Sequence, residues 1–306
     1  MGDRRIPRGP LIRRWPAGEV PFVDRVSYDG GLGPRSSPFP LTPMLPSTSA
    51  TSPRAAPTRP LSVWLAGRID WPGYATLAER LTGEVAAGDR NPTLVLHELE
   101  PCITIGRAGS RTDVRLDDDD LRSRQLPLRF TGRGGGAVLH GPGQVCVSLF
   151  ARLADLGLAD ADAGSYLARL EISLANTIRS LRCGPHRARN AHGILGRTGL
   201  LAAIGVAIRR GCVAHGAFLN VSPDVELHHR ITTLWLSPAS GGRQAVSMSS
   251  IEADVQRMVR LQDARTALVE HVAEAFGFQP PLIHAGFPVA SLTVGSARPE
   301  CASRVG

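Results

Sequence analysis

Gly132-Arg133-Gly134-Gly135-Gly136-Ala137-Val138-Leu139-His140-Gly141-Pro142-Gly143-Gln144 is the stretch on which the reading of this chain turns. Glycine fills five of its first ten positions. It runs between two segments of strand character, residues 128–131 and 144–150. Glycine at this density lets a backbone approach a ligand closely and adopt positive φ. Its exposed N–H groups can hydrogen-bond a carbonyl or a phosphate. No Gly-Lys-Ser/Thr follows, which excludes a Walker loop. A strand rather than a helix comes next, which excludes a dinucleotide fingerprint. Taken alone, the run also fits a glycine-rich hairpin with no ligand.

The flanks supply the fold class. Leu61, Val63 and Leu65 alternate as in a strand, and Tyr74, Leu77, Leu81 and Val85 recur at helical spacing before Gly88. Residues 93–99 and 102–105 read as strands joined at Pro101. The acidic run Asp117 to Asp120 reads as a solvated helix start. Asp160 is the expected N-cap of a long helix whose face carries Leu167, Leu170, Leu174, Ile178 and Leu181. Several strands are expected between Ala191 and Val221. A last amphipathic helix carries Leu261, Leu268, Val272 and Phe276. The sum is an α+β domain, a mixed sheet with a few helices packed on it.

Composition narrows the chemistry. The chain has 306 residues, of which 42% are hydrophobic and 20% charged, enough for a packed core. No apolar run approaches the roughly 20 residues needed to cross a bilayer. Residues 1–16 are basic without an apolar centre, unlike a secretory signal. Residues 1–60 hold 12 of the 24 prolines and 9 arginines against 4 acidic residues, so +5 of the net +8 charge lies there. This segment reads as a disordered leader. Residues 61–280 form the domain and 281–306 a tail. All 35 basic residues are arginine; the chain has no lysine. A guanidinium stays protonated and serves neither as a general base nor as a Schiff-base amine. The five cysteines (Cys102, Cys146, Cys183, Cys212, Cys301) form no Cys-x-x-Cys pair, which points to a reducing compartment, no structural metal and a cytoplasmic protein. His228 and His229 form an exposed-looking pair with no third ligand in view.

Four motifs in order make the glycine run specific. Arg133-Gly134-Gly135 followed by His140-Gly141-Pro142-Gly143-Gln144 resembles the signature of lipoyl(octanoyl) transferases, the lipoate-protein ligase B type of the biotin/lipoate protein ligase superfamily. Pro101-Cys102-Ile103-Thr104-Ile105-Gly106-Arg107 is similar to that family's Pro-x-x-Thr-x-Gly-Arg segment. Ala202-Ala203-Ile204-Gly205-Val206 is similar to its Ala-x-Ile-Gly-Val strand. His215-Gly216-Ala217-Phe218-Leu219-Asn220 is similar to its His-Gly-x-x-Leu-Asn segment.

The resemblance implies an α+β domain whose cleft holds an octanoyl chain. It implies transfer of octanoyl from acyl carrier protein to a lysine of a lipoyl domain, in 2-oxoacid dehydrogenases or the glycine cleavage H protein, with no cofactor, nucleic acid or membrane involved. Carried over by position, the substrate-binding residues are Arg133, Gly134, Gly135, Gly136, Ala137, Val138, Leu139, His140, Ala203, Ile204, Gly205, Gly216, Ala217 and Phe218. His140 is expected to bind or orient the acyl carbonyl, and His215 is a lesser candidate. In the family a cysteine attacks the thioester and a lysine lowers its pKa, because the thiolate is the competent nucleophile. Here the family lysine position falls at Leu200. The family cysteine position falls at Leu234 by an ungapped count, or near Ala239 or Ser240 by the local Pro238-Ala239-Ser240-Gly241 pattern. Cys212 is an outside candidate for a relocated nucleophile, although three residues along a strand set it on the face opposite His215.

Three functions follow. The first is an octanoyltransferase-like protein of lipoate biosynthesis. The second is a non-catalytic relative that binds acyl groups, acyl carrier protein or a lipoyl domain. The third is an ATP-dependent lipoate or biotin ligase, which relies on a lysine near the acyl-adenylate that this chain lacks. The retained cleft motifs favour an acyl site, and the loss of cysteine and lysine favours impaired or absent chemistry.

Overall fold

The computed structural model describes residues 41–43, 57, 59–188, 191–236 and 244–289. In chain order these residues form β1 (Leu41–Pro43), β2 (Ser62–Ile69), α1 (Trp71–Ala87), β3 (Thr93–Leu99), β4 (Cys102–Ile105), α2 (Asp118–Ser123) and β5 (Leu128–Phe130). Next come β6 (Ala137–His140), β7 (Gln144–Arg152), α3 (Ala163–Ser180), β8 (His186–Ala188), β9 (Gly193–Leu195), β10 (Leu200–Arg209) and β11 (Cys212–Asn220). The last are β12 (Leu234–Leu236), β13 (Gln244–Val246), α4 (Ile251–Val255), α5 (Leu261–Phe276) and β14 (Leu282–Ala285).

Nine strands make one mixed sheet in the order β1-β8-β9-β10-β11-β7-β3-β2-β14. The β2–β3 and β14–β2 pairs are parallel and the other pairs antiparallel. A small sheet, β5-β4-β6, carries the end of the glycine run, and β12 pairs with β13. At the centre, β10 and β11 form a hairpin closed by Arg209 opposite Cys212. Its two turn residues, Arg210 and Gly211, both have positive φ, as a two-residue turn that matches strand twist requires.

The alternation of β7 sets the layers. Val145, Val147, Leu149 and Ala151 face one core, where α3 brings Tyr166, Leu170, Leu174 and Ile178 and α5 brings Leu268, Val272 and Phe276. Cys146 and Phe150 face the other, where α1 brings Tyr74, Leu77, Leu81 and Val85. The α1 helix starts where the Asp70 carboxylate accepts from the Gly73 N–H, and it stops at Gly88 in the left-handed region. Leu81 is fully buried, so Leu81→Ala would cost about 2–5 kcal/mol.

Four expectations change. The long helix α3 is capped by Asp162, whose side chain accepts from the Ser165 N–H, and not by Asp160. Ala137–His140 is a strand of its own, so the loop proper is residues 132–136. The sheet runs on past residue 280, because β14 pairs with β2 along its exposed edge. His228 is buried in a short 3-10 turn rather than exposed, while His229 stays outside. Most of segment 1–60 lies outside the described residues; within it, Leu41–Pro43 pairs with His186–Ala188.

Candidate active site

The glycine loop is pressed into the protein by its own backbone. The carbonyls of Arg133, Gly135 and Gly136 accept from the N–H groups of Arg107, Ala108 and Gly106, and Gly134 donates to Val206 at 2.7 Å. Gly135 has φ +75°, and a Cβ there would lie 2.7 Å from the Ile204 carbonyl. A Cβ on Gly136 would collide with the Thr233 carbonyl. The glycines therefore serve close packing against β10 and the strand-like stretch before β12. The N–H groups of Gly135 and Gly136 donate to no group among the described residues.

Arg133 leaves this loop and goes inward. It is 1% exposed, and its guanidinium donates to the Thr104 hydroxyl at 2.7 Å, the Thr104 carbonyl at 3.0 Å and the Gly134 carbonyl at 2.9 Å. It also lies 5.1 Å from the ring centre of Phe218. Among the described residues no carboxylate pairs with it. Burial lowers its pKa to about 10, so it remains a cation at neutral pH.

From Arg133 a chain of hydrogen bonds crosses the core. The Thr104 hydroxyl meets His140 Nε2 at 2.7 Å, and His140 Nδ1 meets Gln144 Oε1 at 2.6 Å. Gln144 Nε2 donates to the Leu139 carbonyl and to Asn220 Oδ1, so its Oε1 can only accept. His140 therefore carries its proton on Nδ1, and Thr104 donates to Nε2. Asn220 passes the chain on to His228 Nε2 at 3.2 Å. Both ring nitrogens of His140 are thus used inside the protein. The expectation that it orients an acyl carbonyl gives way to a buried, neutral histidine whose pKa burial lowers to about 3.

Strand alternation sorts the other expected substrate-binding residues. Val138, Ala203 and Phe218 face the α1-side layer. Ala137 and Leu139 face the core beneath the small sheet, and Ile204 and Ala217 face the α3/α5 core; none of these four points to the α1-side layer. Gly205 leaves room for Arg133, and Gly216 packs against the Val147 backbone.

A second polar cluster lies in the α1-side layer, mostly in residues the motifs do not mark. The Tyr74 hydroxyl is 2.8 Å from His215 Nδ1 and 2.9 Å from the Ser148 hydroxyl, and Ser148 is 3.2 Å from His97 Nε2. Tyr74 stacks on His97 at 4.7 Å between ring centres. His215 has φ +64°, uncommon for a non-glycine residue. Its neighbours Val213 and Ala217 face the opposite core, so this backbone turn brings His215 to Tyr74. Burial lowers the pKa of both His97 and His215 to about 4. The signal that could have found Ser148 and His97 is a polar residue breaking an otherwise apolar strand.

A family model for the lipoyl protein ligase A/B catalytic domain matches residues 74–273. The chain belongs to this family. An octanoyltransferase of Geotalea uraniireducens (strain Rf4) is 31% identical over 199 residues, 65% of this chain and 85% of that protein. An octanoyltransferase of Geobacter metallireducens is 32% identical over 202 residues, 66% and 87% of the two chains. Among solved structures, a lipoate-protein ligase A bound with ATP gives a TM-score of 0.56 at 18% identity, covering 73% of this chain and 88% of that one. A bi-partite lipoate protein ligase from Thermoplasma acidophilum gives 0.51 at 16%, covering 73% and 86%. At such identities the solved structures speak for the fold, the α+β architecture expected above.

Of the positions expected to match the family's lysine and cysteine, the structure describes Leu200 and, by the ungapped count, Leu234. Leu200 is 1% exposed and shares a layer with Leu234, Leu236, Val246 and Met248. Ala239 and Ser240 lie outside the described residues. Cys212 neighbours Arg152, Asp155 and Asp160 rather than His215, and burial raises its pKa. Burial likewise pushes Cys102 and Cys183 up to about 12 and Cys146 well above its ordinary value. None of these four thiols is a thiolate at neutral pH.

Proposed function

We propose that this chain is an octanoyltransferase-type protein of lipoate biosynthesis that accepts octanoyl from acyl carrier protein and delivers it to the lysine of a lipoyl domain without forming a cysteinyl thioester. The observation that carries the reading is the apolar layer beside the glycine loop. Val138, Cys146, Ala203 and Phe218 line it, and Leu200 and Leu234 extend it where the resemblance puts the lysine and the cysteine. The layer is packed in this structure, with Val138, Cys146 and Leu200 each 1% exposed, so an eight-carbon chain would enter by displacing those contacts and be held by burial of apolar area. The N–H groups of Gly135 and Gly136, which donate to no group among the described residues, suit its carbonyl oxygen. The relatives' name, octanoyltransferase, supports the octanoyl group, and the family model's description, a lipoyl protein ligase domain, supports a lipoyl-protein acceptor. The four cysteines among the described residues are all free, which supports a reducing, cytoplasmic setting. No described helix is long and apolar enough to cross a membrane.

The test is incubation of the chain with octanoyl-acyl carrier protein and a lipoyl domain, followed by intact-mass measurement of all three. The acceptor should gain one octanoyl group, and neutral hydroxylamine should release no octanoyl from the chain. Binding of octanoyl-acyl carrier protein with an unmodified acceptor would leave a non-catalytic binder. Acylation that requires ATP and free octanoate would make it a ligase.

A further inference from the structure

The Tyr74–Ser148–His97 cluster holds a hydroxyl in contact with a neutral imidazole, outside the glycine loop and its hydrogen-bond chain. We infer that Ser148 is the acyl-accepting nucleophile of this domain and His97 its general base, a role that rests on the octanoyl-transfer reading above.

The hydrogen-bond directions are consistent from end to end. His97 Nδ1 contacts the Glu98 carbonyl at 3.3 Å, so that nitrogen carries the proton and Nε2 is left to accept. The Ser148 hydroxyl therefore donates to Nε2. The serine oxygen then accepts from the Tyr74 O–H, and the Tyr74 oxygen accepts from His215 Nδ1. Nucleophile, base and orienting carbonyl thus stand in the order that activates a weak nucleophile.

The location suits the acyl group. On β7, Ser148 lies between Cys146 and Phe150 on the α1-side face, the face that also bears Phe218 and Ala203. Arg133, 5.1 Å from the Phe218 ring centre, acts electrostatically on both Tyr74 and His215, the two groups that complete the hydrogen-bond relay to Ser148. The cluster reaches the surface at His215, which is half-buried. Phe287 forms its outer wall, with its ring centre 6.5 Å from that of His97. The backbone beside Phe287 is tied to α1 by Arg80 and to the turn after α1 by Arg90, which donate to the Pro288 and Val289 carbonyls. His215 is also one of the few non-glycine residues with positive φ, a strain held where a side chain is turned toward chemistry.

The transfer balances in two steps. The Ser148 oxygen attacks the thioester carbonyl, forming a C–O bond as the C–S bond breaks. Its proton passes to His97 Nε2 and from there to the departing sulfur. A neutral lysine amine of the acceptor then attacks the serine ester. The C–N bond forms, the C–O bond breaks, and the amine proton returns through His97 Nε2 to the serine oxygen.

The probes are p-nitrophenyl octanoate and octanoyl-acyl carrier protein, read by intact mass and peptide mapping, with a lipoyl domain as acceptor. The wild type should gain one octanoyl group on the peptide containing Ser148. As an oxygen ester it should resist neutral hydroxylamine. Ser148→Ala and His97→Gln should each slow acylation by about 100-fold or more. Ser148→Cys, nearly equal in volume, should make the adduct labile to neutral hydroxylamine while peptide mapping keeps it at position 148 alone, a readout that an unfolded variant with all its thiols exposed would not give. Tyr74→Phe keeps the ring and drops the hydroxyl, and should lower the maximal rate about tenfold with KM for the ester unchanged. Octanoyl on a cysteine, no adduct with either probe, or Ser148→Ala acylating the lipoyl domain at the wild-type rate would overturn the inference. The last outcome leaves the octanoyl-transfer reading standing. Labelling of Ser148 by the small ester, with neither reaction of octanoyl-acyl carrier protein nor a modified lipoyl domain, would overturn that reading and keep the nucleophile.

Discussion

Two buried hydrogen-bond chains run through this domain, and they differ in what a proton can do along them. The first runs from Arg133 through Thr104, His140, Gln144 and Asn220 to His228. It begins at a permanent cation and passes through two side-chain amides, which neither gain nor lose protons at ordinary pH. Every group in it has a fixed direction. The second joins His215, Tyr74, Ser148 and His97. Each member can both give and take a proton. The glycine-loop motif marks the first chain, so the best-matched residues support the architecture. The chemistry-bearing residues lie mostly outside the motifs.

The comparison breaks most visibly in stability. Thr104→Val removes the acceptor of two Arg133 N–H groups and the donor to His140. It leaves a buried cation and a buried imidazole short of partners, so it should cost about 3 kcal/mol in urea denaturation. Ser148→Ala should cost only about 1 kcal/mol, because the Tyr74 proton can swing to His215 Nδ1 once the imidazole changes tautomer. Equal losses would mean that the second chain is as fixed as the first.

The sequence carries this distinction only in part. Period-two and helical spacing placed β3 and β4, α1 with its Gly88 stop, and the hydrophobic face of α5, because burial on one face forces those patterns. Ala137–His140 was hidden inside the glycine run, since a four-residue strand between glycines has too few positions to show a period. Ile204 and Ala217 were placed in the cleft by motif membership, although they share a strand with Ala203 and Phe218 and must point the other way. His140 looked like a ligand group because its partners, Thr104 and Gln144, are separated from it in sequence or by a turn. His215 escaped alternation altogether, for its side chain is turned by a positive φ that no spacing reveals. That the chain has no lysine was plain from composition, and Leu200, where the resemblance puts the family lysine, sits among apolar neighbours that suit a leucine.

Acid should strike both chains through their histidines. His97, His215 and His228 have pKa values lowered to about 4, and His140 to about 3, mainly by burial. In the unfolded chain each titrates near 6.5. Between those values the unfolded state binds more protons, so stability is fully present above about pH 6.5 and falls as pH drops toward 4. At least about 2 kcal/mol should be lost between pH 7 and 5, seen as a falling Tm. The order of protonation sharpens the contrast: imidazole NMR signals of His97 and His215 should shift before that of His140. A Tm that stays level down to pH 4 would show that these rings are hydrated in the folded state.

The smallest effect is expected at Cys146, and it separates thiol from hydroxyl chemistry. Cys146 lies two residues before Ser148 on the same face of β7 and opposite Phe218 on β11, so it is the thiol closest in sequence to the second chain. Its position alone would make it a reasonable nucleophile. Its environment argues otherwise: it is fully buried, and desolvation holds the thiol protonated far above neutral pH. A buried thiol in an apolar layer behaves as a small hydrophobic side chain. Cys146→Ala should therefore lower stability by about 1 kcal/mol through the lost sulfur contacts and, because Cys146 lines the apolar layer, raise KM for the octanoyl probe modestly while the adduct stays on the Ser148 peptide. Iodoacetamide should leave the native thiol unmodified at neutral pH and alkylate it once the chain is unfolded. A Cys146→Ala variant that loses the adduct while Ser148→Ala keeps it would move the nucleophile two residues along the same strand, and the second chain would then be a structural twin of the first.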